Sequence, residues 1–407
     1  MKHHEVLEKL NIQAHANTQQ QSEEYVTEAL ITFDKVRTLI YDLLVTEAWK
    51  NKIFPVVHAA GATKKNSLKV YFMLYHEATI VNLFEIVLFN KDACVACGDA
   101  VLDLIDYCSR KLTLLNAWCV IWRQRITNLQ AYLLNLDEGQ HLSQNKAELD
   151  FSIAINTLSL FRYLTDYITD LSLSAMTRIL NNNDMICSAV YLIERAPWLK
   201  RTSTKEFARF DDGAWKEIPR DELPRLGKVW LVLYNLLIEP ECREKYEYTA
   251  QRQSVILRLQ PYLNETLVDQ LPILKDLERH LVELSLMKPP ENVDVMKRGL
   301  LVEQIPEMYN EITNGVNWKQ LAEDHKRTLL GGTDQSIRDT AKSLAAMYDL
   351  DEFDSMLEDP KCAKCGHVAM QRCSRCKNEW YCGRVCQVKA WKSHKPACDL
   401  LTRPADQ

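Results

Sequence analysis

A mostly α-helical body followed by a small cysteine-rich module is the fold class this sequence predicts, and three observations predict it. Only 11 glycines and 13 prolines occur among 407 residues, about half the usual share. Leucine-rich stretches recur with apolar residues every three or four positions, the spacing of one helix face. Seven of the thirteen cysteines fall within residues 362–398. Helix pairs about forty residues apart point to an irregular helical repeat of the HEAT or armadillo kind. An irregular helical bundle would give the same pattern and is the alternative.

From the N-terminus onward, MKHHEVLEKLNIQ lacks the apolar core of a signal peptide, and no run approaches about eighteen apolar residues without a charge. We therefore expect a chain that is neither secreted nor inserted in a membrane, with the cytosol as its default compartment. Residues 76–117 read as a first helix pair. In 151–180, Ile155, Leu158, Phe161, Leu164 and Ile168 form one helix stripe, and Leu171, Leu173, Met176, Ile179 and Leu180 begin another. Residues 199–226 mix aromatics around Asp212-Gly213 and read as a hairpin or long loop inserted between helices. Residues 228–286 form a further pair. The stretch 287–299 carries Pro289-Pro290 and breaks helix, and a last break falls near Asp359-Pro360. The resulting division is a body over 1–350, a linker over 351–361, the cysteine-rich module over 362–398 and a tail over 399–407.

Several side chains invite chemistry and are given a plainer reading. Cys94 and Cys97 form a CxxC without the βαβ setting of a redox motif, so they read as buried helical thiols, as do Cys108, Cys119, Cys187 and Cys242 among apolar neighbours. His76, Glu77 and His280 lie on predicted amphipathic helices and read as solvated or capping groups. Trp198, Trp230 and Trp318 read as core or loop anchors. There is no glycine-rich phosphate loop, no HExxH and no GxSxG, and Gly331-Gly332 has no phosphate-loop lysine after it. We expect no enzyme.

The module itself offers eight donors, Cys362, Cys365, Cys373, Cys376, Cys382, Cys386, His394 and Cys398, spaced C-x2-C-x7-C-x2-C-x5-C-x3-C-x7-H-x3-C. Eight sulfur and nitrogen donors are what two closed tetrahedral Zn2+ sites require. Cysteines two residues apart share a tight turn, and the later pairs, four apart, share one face of a helical turn. The module should open with loops or short strands and close with helix. Disulfides are the competing reading, and the lack of a secretory signal speaks against them. His367 is a spare donor read as a surface histidine.

Charge separates this tail from the body. Residues 361–407 carry ten Lys/Arg and three Asp/Glu, a balance of +7, which leaves −12 on the rest of a chain whose net charge is −5. Seven thiolates and two divalent ions bring the tail to about +4. No recognition helix or extended basic stripe accompanies it, so no nucleic-acid partner is expected.

The run CAKC, CSRC and NEWYCGRVCQVKAWKSHKPAC resembles a MYND zinc finger, including Tyr381 before the fifth ligand, the Cys386-Gln387 step and Trp391 before His394. The resemblance implies interleaved sites: Cys362, Cys365, Cys382 and Cys386 around one zinc, and Cys373, Cys376, His394 and Cys398 around the other. It also implies a partner groove for proline-containing peptides beside Gln387 and Trp391, with packing between the zinc sites as the alternative role of Trp391. Some MYND proteins carry a SET methyltransferase domain, whose marks are absent here, and others recruit transcriptional repressors, which makes a corepressor adaptor the competing reading.

Along the body, HEATIVNLFEIVLFNKDAC, LDLIDYCSRKLTLL, LSLFRYLTDYITDLSLSAMTRIL, VWLVLYNLLIEPECREKY and LVEQIPEMYNEI resemble a family of MYND-finger factors for axonemal dynein arm preassembly. The polar run from Asn17 to Gln21 matches that family least. The resemblance implies a cytoplasmic scaffold, placed near the centrioles or the ciliary base and needed for motile cilia or flagella. Its implied partners are a leucine-rich-repeat dynein assembly factor, an Hsp90-type chaperone with its immunophilin co-chaperone, and axonemal dynein chains as clients.

Overall fold

The apolar periodicity of the chain becomes helix almost wherever it occurs. The computed structural model describes residues 2–19, 24–60, 67–125, 138–201, 207–211, 213–218, 227–287, 304–330, 361–376 and 379–401. Two compact units divide it, Met1–Lys342 and Ser343–Gln407. Gly331-Gly332, Pro289-Pro290 and Asp359-Pro360 lie outside the described residues, as does the side chain of Cys119.

The first unit contains α1 (Lys2–Gln19), α2 (Tyr25–Thr32), α3 (Val36–Lys52), α4 (Phe54–Ala59), α5 (Ser67–Val87), α6 (Lys91–Ala96), α7 (Val101–Arg125), α8 (Glu138–Asp166), α9 (Leu173–Thr177) and α10 (Met185–Arg195). After a three-stranded insert come α11 (Gly227–Ile238), α12 (Pro240–Lys245), α13 (Ala250–Leu257), α14 (Glu265–Gln270), α15 (Leu274–Leu286), α16 (Met308–Thr313) and α17 (Trp318–Leu330). Side chains close several helix starts by accepting the free amides of the first turn: Asn90 for α6, Ser172 for α9, Asp184 for α10, Thr249 for α13 and Asn264 for α14.

These helices stack in two layers. In one, α1, α5, α8, α11 and α15 touch in that order; in the other, α7, α10 and α13 follow α3 and pack against the first. Successive pairs are thus α3 with α5, α7 with α8, α10 with α11, and α13 with α15, an irregular armadillo-like stack. The pairs begin at Val36, Val101, Met185 and Ala250, wider than the forty-residue spacing read from the sequence. Short helices, a long α8 and the insert lie between them, and none of these disturbs the apolar period.

The stripe from Ile155 to Leu164 lies on α8, and Ile168 opens a 3-10 turn. The second stripe forms α9 and a π turn over Arg178–Asn182. The insert is the expected hairpin with one strand more: β1 (Leu199–Arg201), β2 (Phe207–Asp211) and β3 (Ala214–Ile218) pair antiparallel in that order, with Phe207 opposite Ile218. Gly213 reaches φ +73° in the turn, a conformation that costs a residue with a Cβ. Phe210 and Trp215 anchor the hairpin on Phe151 of α8, with ring centroids 4.9 and 5.8 Å away.

Burial corrects one expectation. Glu77 is fully buried, His280 is buried and His76 is half-buried, rather than solvated. The reason is that α5 lies among α1, α3 and α8, so it has almost no face toward water for Glu77 to use. Charges of opposite sign follow one another through this interior. Lys146 lies 2.5 Å from Asp150, Asp150 meets Lys50, and Lys50 meets Glu77; Glu77 lies 2.7 Å from Lys111, Lys111 3.2 Å from Glu47, and Glu47 2.5 Å from Arg110. The Tyr107 hydroxyl donates to Glu77 at 2.8 Å. Burial alone would raise the Glu77 carboxyl, but Lys111 and Lys50 hold it well below the usual carboxylate range. Because each buried ion costs several kcal/mol to dehydrate, about 3–5 kcal/mol is lost when one partner is removed alone. The network ties α3, α5, α7 and α8 in one register.

Trp198 and Trp230 are buried and Trp318 is half-buried. Cys94, Cys97, Cys108, Cys187 and Cys242 are buried in the main core as free thiols, and burial pushes the Cys94 thiol up to about 12. Such thiols are inert.

Candidate metal centre

The described residues of the second unit open with two cysteine turns. At the first, Cys362 N–H donates to the His367 carbonyl at 2.7 Å and Gly366 N–H to the Cys362 carbonyl at 2.8 Å, with Gly366 at φ +75°. That backbone reversal aims Cys362 and Cys365 to one side. The second turn is framed by β4 (Gln371–Arg372) and β5 (Trp380–Tyr381), paired antiparallel, and Cys373 N–H donates to the Glu379 carbonyl at 2.8 Å. Next comes α18 (Arg384–Leu401), which carries Cys386, His394 and Cys398. Loops and short strands thus precede helix. This helix continues through Pro396, a residue whose missing N–H costs about 3 kcal/mol in a helix interior. The ligands His394 and Cys398 hold the chain on both sides of it.

Two donor groups result, each with its ligand atoms within 4.8 Å of one another: Cys362, Cys365, Cys382 and Cys386, and Cys373, Cys376, His394 and Cys398. Sulfurs about 2.3 Å from a common centre stand about 3.7 Å apart at tetrahedral corners. The Sγ atoms of Cys365, Cys382 and Cys386 are separated by 3.5, 3.5 and 3.8 Å, and those of Cys373 and Cys398 by 3.9 Å. The His394 Nε2 lies 3.3 Å from Cys376 Sγ. Its other ring nitrogen, Nδ1, faces Glu379 Oε2 at 2.9 Å, and the same oxygen accepts from Tyr381 at 2.6 Å. A carboxylate behind a ligating imidazole fixes its tautomer and raises its basicity. Sequence reasoning missed Glu379, since nothing in its spacing marks it.

The thiol chemistry fits a cation. In the first group, burial works against ionisation of Cys362, yet backbone N–H groups of Cys382, Lys364 and Cys365 bring it down to about 6. Side-chain hydrogen bonds to Cys386 and Cys365 push Cys382 up to about 12. In the second group burial and the neighbouring Cys376 and Cys373 raise Cys398 to about 11. Thiols crowded in this way give up their protons together only around a positive centre. Both groups fit Zn2+, and the two ions are structural, because every tetrahedral position is filled by protein.

The sites differ in exposure. Cys373, Cys376, His394 and Cys398 are all buried, whereas Cys365 and Cys382 are exposed. Tyr381, 1% exposed, stands with its ring 6.1 Å from that of His394. Trp391 is 37% exposed and its ring lies 5.8 Å from that of His394. Gln387, on the same helix, is half-buried, and His367 is exposed.

Comparison with known proteins agrees with this geometry. Residues 362–398 match the MYND finger family. A tudor domain-containing protein of Mus musculus is 39% identical over 51 residues, covering 12% of this chain and 4% of that protein. A SET and MYND domain-containing protein of Dictyostelium discoideum is 52% identical over 33 residues, 8% of this chain and 6% of its own length. The zinc finger MYND domain-containing protein 10 homolog of Drosophila melanogaster is 28% identical over 425 aligned residues, covering 97% of this chain and 92% of that protein. No solved structure matches the chain. No helix among the described residues is long and apolar enough to cross a membrane. The C-terminal module is thus a MYND finger holding two zinc ions, and the chain as a whole is similar to zinc finger MYND domain-containing protein 10.

Proposed function

We propose that this protein is a non-enzymatic cytoplasmic scaffold for the preassembly of outer and inner axonemal dynein arms, required for motile cilia or flagella. The observation that carries the reading is the extent of the similarity: it runs through the helical body to the finger, over 97% of the chain. The likeness to a SET-containing protein is confined to 33 residues, so it supports no methyltransferase activity.

The two units suit a scaffold. The body carries a net charge of −12 and the C-terminal segment a positive balance, so each suits its own partner and can raise the local concentration of the other. By the family resemblance those partners are a leucine-rich-repeat assembly factor, an Hsp90-type chaperone with its immunophilin, and dynein chains as clients. Gln387 and the partly exposed Trp391 are the finger positions assigned to a proline-containing peptide. Removing the protein from cells with motile cilia tests the role. Both dynein arms should be depleted while cytoplasmic dynein survives, and normal arms after complete loss would refute it.

A further inference from the structure

The two zinc sites of the finger differ in their donors and in their surroundings. The second group contains an imidazole, its four donors are all buried, and Glu379 stands behind His394. The first group is all sulfur, and two of its four thiols, Cys365 and Cys382, are exposed. Zn2+ itself neither gives nor takes electrons. Its thiolate ligands do, and their oxidation follows thiolate character and access to solvent. Because the sulfurs of both sites are thiolates around the metal, access decides between them.

Geometry selects one pair within the exposed site. The Sγ atoms of Cys365 and Cys382 lie 3.5 Å apart, so they must close by about 1.5 Å to reach the length of a disulfide. Space for that movement exists on both sides. Gly366 follows Cys365 and Gly383 follows Cys382, and a Cβ at either glycine would meet nothing within 4 Å. The other two sulfurs are less free. Cys362 is buried, and Cys386, half-buried, is held at the start of α18 with its N–H donating to the Gly383 carbonyl at 3.1 Å. In the second group, Cys373 and Cys398 are 3.9 Å apart at 1% and 0% exposure.

We propose that Cys365 and Cys382 form a redox switch: a peroxide joins their sulfurs, which empties the first zinc site and leaves the second closed. One of the two thiolates attacks an oxygen of hydrogen peroxide; an S–O bond forms, the O–O bond breaks and hydroxide leaves. The other thiolate attacks the resulting sulfenic sulfur, so the S–S bond forms, the S–O bond breaks and a second hydroxide leaves. Two solvent protons convert both hydroxides to water. The sulfurs lose two electrons, and the peroxide gains them. The site then keeps only Cys362 and Cys386 as anionic donors, too few to close a tetrahedron, and the first turn loses the folding free energy that metal binding supplied. A dithiol reverses the step by exchange, becoming a disulfide itself while both thiols return. The switch is independent of the dynein-arm reading.

Graded hydrogen peroxide on the zinc-loaded full chain tests it, with a chromophoric zinc indicator and disulfide mapping by mass spectrometry as readouts. One zinc should leave at least about tenfold faster than the other, and the map should show Cys365 joined to Cys382 with Cys373, Cys376 and Cys398 reduced. Hydrogen exchange at the amides of Cys362 and Gly366 should quicken while that around His394 and Cys398 stays slow. A dithiol and fresh Zn2+ should restore the starting state. Cys365→His, which keeps a donor but removes one sulfur of the pair, should hold two zinc ions and lose the fast phase. Should that variant hold a single zinc, the order of release and the disulfide map of the unaltered chain still decide. Loss of both ions together, loss of the buried ion first, or a bond from Cys365 to any partner other than Cys382 would overturn the proposal. So would oxidation of Cys365 to sulfinic or sulfonic acid in place of the disulfide.

Discussion

Large apolar side chains such as Tyr107, Phe84 and Phe161 fill the interior of the helical body, whereas the buried cluster of the finger is Cys362, Cys373, Cys376 and Cys398 with Tyr381, Ala369 and Ala390. Most of the finger's interior is therefore ligand. Area burial stabilises the body without help, and binding of zinc supplies the folding free energy of the finger, on the order of 10 kcal/mol per site. Charge follows the same division. The body holds its buried ions as an alternating chain of side chains, while the finger neutralises its thiolates with metal. The lesson is that one chain can carry two units that respond to different insults.

The largest expected effect is in the finger. His394→Ala or Cys382→Ala should unfold it while the body keeps its far-UV helix signal, because the folding energy is removed locally. Loss of the helix signal across the whole chain would break the comparison. The next effect lies in the body. Glu77→Ala leaves Lys50 and Lys111 buried without their shared carboxylate and should destabilise the first unit by about 3–5 kcal/mol in denaturant unfolding, with zinc content unchanged. An apolar replacement of all its partners together should be far milder, and an equal loss would show that the charges are more than a matched set.

Glu379→Gln should weaken zinc at the buried site by about 10–100-fold, measured by competition with a chromophoric chelator, and leave the Cys362 site intact. Equal weakening of both sites would remove Glu379 from its place behind His394. A smaller, pH-dependent effect belongs to α1. His4 and His76 face each other with their Nδ1 atoms 3.0 Å apart, and burial first, then neighbouring positive charge, lowers them to about 4 and about 3. The unfolded chain therefore takes up more protons below about 6.5. Their contribution is present above about 6.5 and lost as pH falls toward about 4. Exchange at amides of α1 and α5 should rise across that window, and a flat profile would contradict the neutral pair.

The finger was legible because its ligands are set by local spacing; even the opening turns and closing helix follow from pairs two and four residues apart. Interleaving of the two ligand groups depends on the return of α18 past both turns, which spacing does not encode. In the body, helix periods such as Ile155 to Leu164 were read directly, whereas the pairing distance was not, because α4, α6, α9 and the β1–β3 insert lengthen the repeats without altering the period. Glu77 was misread for a related reason. A period identifies faces, and α5 turns almost every face toward another helix. Glu379 escaped notice because its role exists only beside His394.

The most direct test of the division between the two units is hydrogen exchange across the full chain before and after removal of zinc by a chelator. Amides of 362–398 should lose their protection while those of α5, α7 and α8 keep theirs. Protection that persists in the finger without metal, or that vanishes from the body along with it, would contradict the account.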